Sequence, residues 1–218
     1  MTEASTKSAD RSAMIGPGRF ILVVGPSGAG KDTLLGLARA ACADDSSIVF
    51  PRRVVTREAS SFEDNEQMSL DAFQQARSQG DFAVHWEAHG HCYALSRAID
   101  DDIRARRTVV ANVSRTVIEA LRRAYADVVV ILITAPAEIL AERLAVRARS
   151  SDGRLADRLG RAVDDAATAP DVTIANVGSV EQHARELVRV IKGGLEGGKG
   201  CVGEAPRSGE RQCRSSQR

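Results

Sequence analysis

An α/β fold built on a doubly wound parallel sheet follows from three features of the chain. Unbroken apolar runs at residues 20–24, 109–113 and 128–134 have the character of strands buried on both faces. Helix-compatible stretches separate them, so the strands are joined by crossovers rather than by hairpins. The first run leads straight into Gly25-Pro26-Ser27-Gly28-Ala29-Gly30-Lys31-Asp32-Thr33, a glycine turn placed between strand and helix.

That turn is a phosphate cradle. Gly25, Gly28 and Gly30 allow the tight backbone path that points successive N–H groups at an anion near the positive end of the following helix. Lys31 adds a mobile point charge for the β- and γ-phosphates of ATP. Gly25 through Lys31 fit the pattern G-x-x-x-x-G-K, so the fold is read as a P-loop NTPase. The next position, where a Ser or Thr hydroxyl ordinarily holds Mg²⁺, is Asp32. Thr33 is a substitute donor, projecting about 100° further round the helix. Asp32 and Thr33 are the candidate metal ligands.

The remaining elements follow in order. Residues 1–18 are small and polar, end in Gly16-Pro17-Gly18, and read as a disordered leader. Leu34, Ala38, Ala41 and Cys42 keep one helical face apolar, which makes Cys42 a core thiol. A second strand is expected over residues 48–56, broken by Pro51, with Arg52, Arg53 and Arg57 forming a local anion site. Residues 58–67 read as a loop. Ser69 caps a short helix that Gly80 ends. Phe82, Val84 and Trp86 alternate with polar neighbours, His89-Gly90 turns the chain, and residues 93–95 return as a hairpin partner. Ser96 caps a helix over 97–106 whose run Asp100-Asp101-Asp102 is read as a solvated face. A helix over 115–125 separates the two later apolar strands. Pro136 sits in the first turn of a helix over 137–149.

Arginines are dense from Arg143 to Arg161. Arg143 and Arg154 are read as solvated, whereas Arg147, Arg149, Arg158 and Arg161 suit a lid that closes on transferring phosphates. A last strand over 172–175 leads through Asn176 to a helix begun by Ser179-x-x-Gln182 and ended by Gly193. Residues 193–218, rich in Gly and Ser, read as a disordered tail.

Composition bounds the partners. The 218 residues carry a net charge of +1 with 27% charged side chains, so no overall field points to nucleic acid or a membrane surface. No apolar run approaches the roughly 18 to 20 residues needed to span a bilayer. Four cysteines without C-x-x-C spacing, and no secretory segment, suggest reduced thiols in a cytoplasmic protein. His85, His89, His91 and Cys92 crowd the hairpin, yet no second Cys/His pair accompanies them as a zinc site needs.

Taken together, the P-loop, Val54-Val55-Thr56-Arg57, the hairpin 82–93, Asn112-Val113-Ser114-Arg115, Arg147-x-Arg149 and Arg158-Leu159-x-Arg161 resemble the guanylate-kinase-like P-loop kinases over roughly residues 19 to 192. Within that group, Gly-Lys-Asp, Thr-Arg-x-Ala-Ser at 56–60 and Asn-x-Ser-Arg at 112–115 are similar to the ribose 1,5-bisphosphate phosphokinases of bacterial phosphonate breakdown. The resemblance implies one kinase domain over 19–192, with an inserted hairpin subdomain and an arginine-rich lid, using ATP and Mg²⁺ on a small sugar phosphate. It implies catalytic roles for Lys31, Arg147, Arg149 and Arg158, and contact of Asn176 with the nucleotide. Arg53, Arg57, Tyr93, Asn112, Ser114 and Arg115 are the implied acceptor ligands, in a monomer or homodimer.

Guanylate kinases carry a glutamate that pairs with the guanine edge where this chain has Val84, which cannot accept those hydrogen bonds. Nucleotide kinases commonly carry an aspartate near Mg²⁺ where this chain has Asn112. With Asp32, that suggests an exchange of hydroxyl for carboxylate and carboxylate for amide that conserves charge. Ala94, Val113 and Ala148 replace family glycines and Asn65 replaces a histidine, changes expected to tighten backbone near substrate. The alternatives are a nucleoside monophosphate kinase and a non-catalytic guanylate-kinase-like binding module, although such modules typically lose the P-loop lysine or its glycines.

Overall fold

In the structure, a computed structural model describing residues 14–57, 64–148 and 169–193, the first strand is the centre of the molecule. All of β1 (Arg19–Val24) beyond Arg19 is fully buried, because β1 lies between two parallel neighbours, β7 (Thr108–Asn112) and β8 (Val128–Thr134). β2 (Ile48–Val49) extends the sheet beyond β7, and β9 (Val172–Ala175) extends it beyond β8, giving the parallel order β2-β7-β1-β8-β9. Side chains alternate across it as strand geometry requires. Phe20, Leu22 and Val24 enter one core with α3 (Ala98–Arg104) and α4 (Ile118–Ala124). Ile21 and Val23 enter the other with α1 (Lys31–Ala41), α5 (Ala137–Ala148) and α6 (Val180–Ile191). The sheet is therefore covered on both faces, and the doubly wound expectation holds.

A second, four-stranded sheet has the order β4-β3-β6-β5, from β3 (Arg53–Val55), β4 (Asn65–Gln67), β5 (Phe82–Ala88) and β6 (His91–Ser96). β5 and β6 form the expected antiparallel hairpin, with Trp86 opposite Tyr93. One face of this sheet gives Val55, Val84, Trp86, Tyr93 and Leu95 to the first core of the main sheet. Its other face places Val54, Phe82 and Ala94 against Phe73 of α2 (Leu70–Gln79). The starts of α2 and α6 follow the capping signals, whereas the N-cap residue of α3 is Arg97 rather than the expected Ser96. Ser69 and Ser179 accept hydrogen bonds from the backbone N–H groups of Ala72 and Gln182, and Gly80 closes α2 in the left-handed region at φ 77°.

Four expectations change. The strand expected over 48–56 is two strands in two sheets, since Pro51 ends pairing with β7 and the chain crosses to the hairpin sheet. The loop expected over 58–67 contains β4, whose polar residues Asn65-Glu66-Gln67 pair in parallel with β3. The leader expected over 1–18 is ordered at its end: Ile15 bridges to Tyr125 and the Gly18 N–H donates to the Ile103 carbonyl at 2.9 Å. Asp100 does not belong to a solvated face. It is 2% exposed, accepts a 2.6 Å hydrogen bond from the Tyr125 hydroxyl and lies 3.6 Å from Arg97. The leader residues before 14 and the expected tail beyond 193 lie outside the described residues.

Arg97 also donates to the Gly80 and Phe82 carbonyls, at 2.5 and 3.0 Å, so Asp100 ties the start of the hairpin to the base of the main sheet. Burial, followed by the hydrogen bond to Asp100, pushes the Tyr125 hydroxyl pKa far above its ordinary value, so it remains a donor throughout the usable pH range. Cys42 is a buried thiol whose pKa is raised by burial, in keeping with a packing role. Among the described residues no helix is long and apolar enough to cross a membrane.

Tyr125→Phe keeps the edge contact of ring 125 with Phe20 but leaves the buried Asp100 carboxylate without its donor. Urea unfolding should show a loss of about 1–3 kcal/mol, whereas an unchanged midpoint would show that the network adds nothing to stability.

Candidate active site

The sheet register gathers the site. Val23 pairs with Asn112, Val24 with Leu132 and Thr134 with Ala175, so Gly25, Asn112 and Asn176 all emerge at the carboxyl edge of the parallel strands. Gly25 leaves β1 at φ 146°, and a Cβ there would sit 1.9 Å from the Ile133 carbonyl oxygen. Gly30 caps α1 at φ 86°, where a Cβ would lie 2.4 Å from the Asn176 amide nitrogen. Both positions need glycine for space as well as conformation.

Lys31 bends back over the loop it follows. Its ammonium donates to the carbonyls of Gly25 and Pro26 at 2.9 and 2.8 Å, which draws the loop around the charge. Asn176 is 2% exposed and braces the same loop: its backbone N–H donates to Thr134 and its amide donates to the Ala29 carbonyl, each at 2.8 Å. The Asn176 Oδ1 is buried with no hydrogen-bond partner among the described residues. An unsatisfied buried acceptor beside the P-loop fits a ligand that brings its own donor.

Arg143, expected to be solvated, instead reaches from α5 across this edge. It donates to the Asn176 carbonyl at 3.1 Å and makes a longer 3.4 Å bond to the Gly28 carbonyl. Arg147 lies within α5, while Arg149, Arg154, Arg158 and Arg161 lie outside the described residues.

Asp32 and Asn112 meet. The Asn112 amide donates to the Asp32 carboxylate at 3.0 Å, joining the first turn of α1 to the end of β7. A carboxylate is favoured at a helix N-terminus, and here it adjoins Lys31. No group of three or more His, Cys, Asp or Glu gathers as a metal cage among the described residues. The donors still fit Mg²⁺, which usually keeps several waters and takes one or two carboxylates together with substrate phosphates. Asp32 offers hard oxygen, with the exposed Thr33 next to it.

Beside this pair lies a cleft of about 190 Å³ between α1 and the end of β7 on one side and Phe50, Pro51, Arg53, Asp64 and Asn65 on the other. Asp32, Arg39, Arg53, Asp64, Asn65 and Asn112 are its polar lining. Arg53 donates to the Asn65 side chain at 3.3 Å and lies 5.7 Å from the centre of the Tyr93 ring, which stacks on Trp86 at 5.8 Å. Thr56 locks its segment to the hairpin, its hydroxyl accepting from the Cys92 N–H at 2.9 Å and its own N–H donating to the Cys92 carbonyl at 3.1 Å. That fixes the backbone from which half-buried Arg57 projects. Arg115 is half-buried just beyond β7. The Ser114 hydroxyl accepts from the N–H and hydroxyl of Thr116, capping the turn after β7.

Two of the glycine replacements turn away from the cleft. Ala94 packs under Phe73 and Phe82, and Val113 enters the first core. Arg39 and Asp64 were not singled out by the sequence, because neither belongs to a recognisable motif.

Comparison with known proteins agrees with this arrangement. No family model matches the chain. It is 64% identical over 192 residues to the ribose 1,5-bisphosphate phosphokinase PhnN of Bradyrhizobium diazoefficiens, covering 88% of this chain and 97% of that one. Against the protein of the same description from Rhodopseudomonas palustris it is 64% identical over 181 residues, covering 83% and 92%. The crystal structure of a guanylate kinase from Anaplasma phagocytophilum superposes with a TM-score of 0.61 over 84% of this chain and 90% of that one; at 21% identity this likeness speaks for the fold alone. With a P-loop kinase edge, a hairpin sheet and relatives matched over nearly their whole length, the chain belongs to the ribose 1,5-bisphosphate phosphokinase family of guanylate-kinase-like P-loop kinases.

Proposed function

We propose that the chain transfers the γ-phosphoryl group of ATP to the 1-phosphate of ribose 1,5-bisphosphate, forming 5-phosphoribosyl 1-diphosphate and ADP. The observation that carries this reading at the site is the Asn112–Asp32 pair, set between the P-loop and a cleft whose cationic lining is arginine. Val84 agrees with it. Its side chain is buried in the core, so the hairpin offers no carboxylate there to a base.

The chemistry asks little of a proton acceptor. An oxygen of the 1-phosphate is already ionised at neutral pH and attacks the γ-phosphorus of ATP as the bond to the β-phosphate oxygen breaks. Catalysis is therefore alignment and charge neutralisation. The backbone N–H groups from Gly28 to Lys31 cradle the phosphates, and Lys31 exchanges its two loop carbonyls for phosphate oxygens. Asn176 and Arg143 keep the far side of the loop in place. Arg53, Arg57 and Arg115, with the Tyr93 hydroxyl, hold the acceptor. Arg147, Arg149 and Arg158 are assigned by sequence position to the charge on the transferring group. Asp32, with Thr33, would hold Mg²⁺ directly or through water, and Asn112 orients the Asp32 carboxylate. When bound, the ion neutralises phosphate charge.

Three measurements test the reading. With ATP and Mg²⁺, ADP release should be at least about tenfold faster with ribose 1,5-bisphosphate than with GMP, a modest demand for a site without a base-recognition group; faster turnover of GMP would overturn it. Lys31→Met should lower kcat by about 10²–10³-fold, the scale of losing one donor to developing charge, with fold unchanged by circular dichroism. Asp32→Ser should raise the Mg²⁺ concentration for half-maximal turnover by about tenfold, and adding Asn112→Asp should restore much of it, a non-additivity expected of contacting groups. Unchanged magnesium dependence in Asp32→Ser would sink the exchange.

A further inference from the structure

Asp64 lines the cleft with each carboxylate oxygen on a different arginine. Its Oδ2 accepts from Arg39 of α1, and its Oδ1 pairs with Arg52 Nε at 2.9 Å. Both guanidinium groups are held from behind. Arg39 donates to the Phe50 carbonyl at 3.2 Å and lies 5.8 Å from the centre of the Phe50 ring, while Arg52 donates to the Asn65 carbonyl at 2.9 Å. Two fixed guanidinium groups converging on one small anion form the arrangement that suits a phosphate. The side chains of Arg39, Asp64 and Arg52 are 42, 53 and 55% exposed. Exposed ion pairs of this kind contribute little, so a stronger dianion can displace the carboxylate.

Their place on the fold gives the anion an identity. Asp32, Leu35, Gly36 and Arg39 all line the cleft, and their spacing of three, four and seven residues is one face of a helix. Asp32 and Arg39 are thus separated by two turns, about 10 Å along α1. Gly36 between them leaves the floor bare, with nothing within 4 Å of where its Cβ would be. An acceptor whose phosphates are separated by C1, O4, C4 and C5 of a ribose matches a trough with the Asp32 carboxylate at one end and, at the other, Arg39 joined through Asp64 to Arg52.

We propose that Arg39, with Arg52, binds the non-reacting 5-phosphate of the acceptor, and that Asp64 occupies this subsite as an internal substitute for that phosphate. The proposal rests on the function given above. It makes Arg39 a determinant of acceptor choice: a sugar without the distal phosphate leaves Asp64 in place and gains nothing from either arginine.

The test is a set of acceptor constants for the full chain. Arg39→Gln should raise the KM for ribose 1,5-bisphosphate about tenfold or more, the scale of a lost hydrogen bond to a charged group, while kcat changes far less. The inhibition constant of ribose 5-phosphate should rise in parallel, that of ribose 1-phosphate and the affinity for ATP should not, and Arg39→Lys should recover part of the loss. Equal weakening of both sugar monophosphates, or no change in either, would overturn the assignment of Arg39. If Arg39→Gln does not fold, Asp64→Asn asks the same question from the other side: tighter inhibition by ribose 5-phosphate supports the subsite, and unchanged or weaker inhibition overturns it. Failure of the unaltered protein to use ribose 1,5-bisphosphate is a separate outcome that removes the function and the subsite together.

Discussion

A carbonyl oxygen stands where a side chain at position 25 would be, and the rest of the site depends on that closeness. Because Gly25 can lie against Ile133, β1 and β8 remain paired up to the edge of the sheet before the chain turns away. The turn then delivers Lys31 back onto the loop and starts α1 with Asp32 facing Asn112. Asn176 closes the other flank, with no space for a Cβ on Gly30. A few backbone approaches that only glycine permits therefore decide where a cation, a carboxylate and an amide come together.

Parallel pairing explains why residues so distant in sequence share this edge. Each strand of the main sheet points the same way, so each crossover begins at the same side, and the functional groups sit in the first residues after β1, β7 and β9. The side of the cleft facing the hairpin is built differently. There an antiparallel hairpin and the short β3 supply a platform on which Tyr93 and Trp86 stack and over which Arg53 lies.

Much of this was legible in the sequence because the signals were local. Continuous apolar runs gave β1, β7 and β8, alternation gave β5, and Ser69 with Gly80 bounded α2. Asp32 and Asn112 stood out as departures from a familiar pattern, and the structure brings them into contact. What was hidden depends on tertiary placement. β4 is three polar residues with no periodicity, recognisable only once β3 is beside it. Asp100 sits in a run of three aspartates that looks solvated, yet its partner Tyr125 lies twenty-five residues further on. Arg143 occupies a helix with the same spacing a solvated arginine would have, and only the position of Asn176 gives it a purpose.

The hairpin sheet shares its hydrophobic core with the main sheet: Val55, Trp86 and Leu95 lie in the same cluster as Phe20, Leu22 and Val24. Kinases that close on two substrates often do so by swinging a subdomain about a hinge, which requires a wet or lightly packed seam. Here the seam is apolar and shared by both sheets. Swinging β5 and β6 away as a rigid body would expose apolar surface at about 25 cal/mol per Å², so small sliding movements cost less than opening the seam. Under the subsite proposed above, selectivity would be a matter of which anion replaces another on Arg39 and Arg52, rather than of how far two lobes travel.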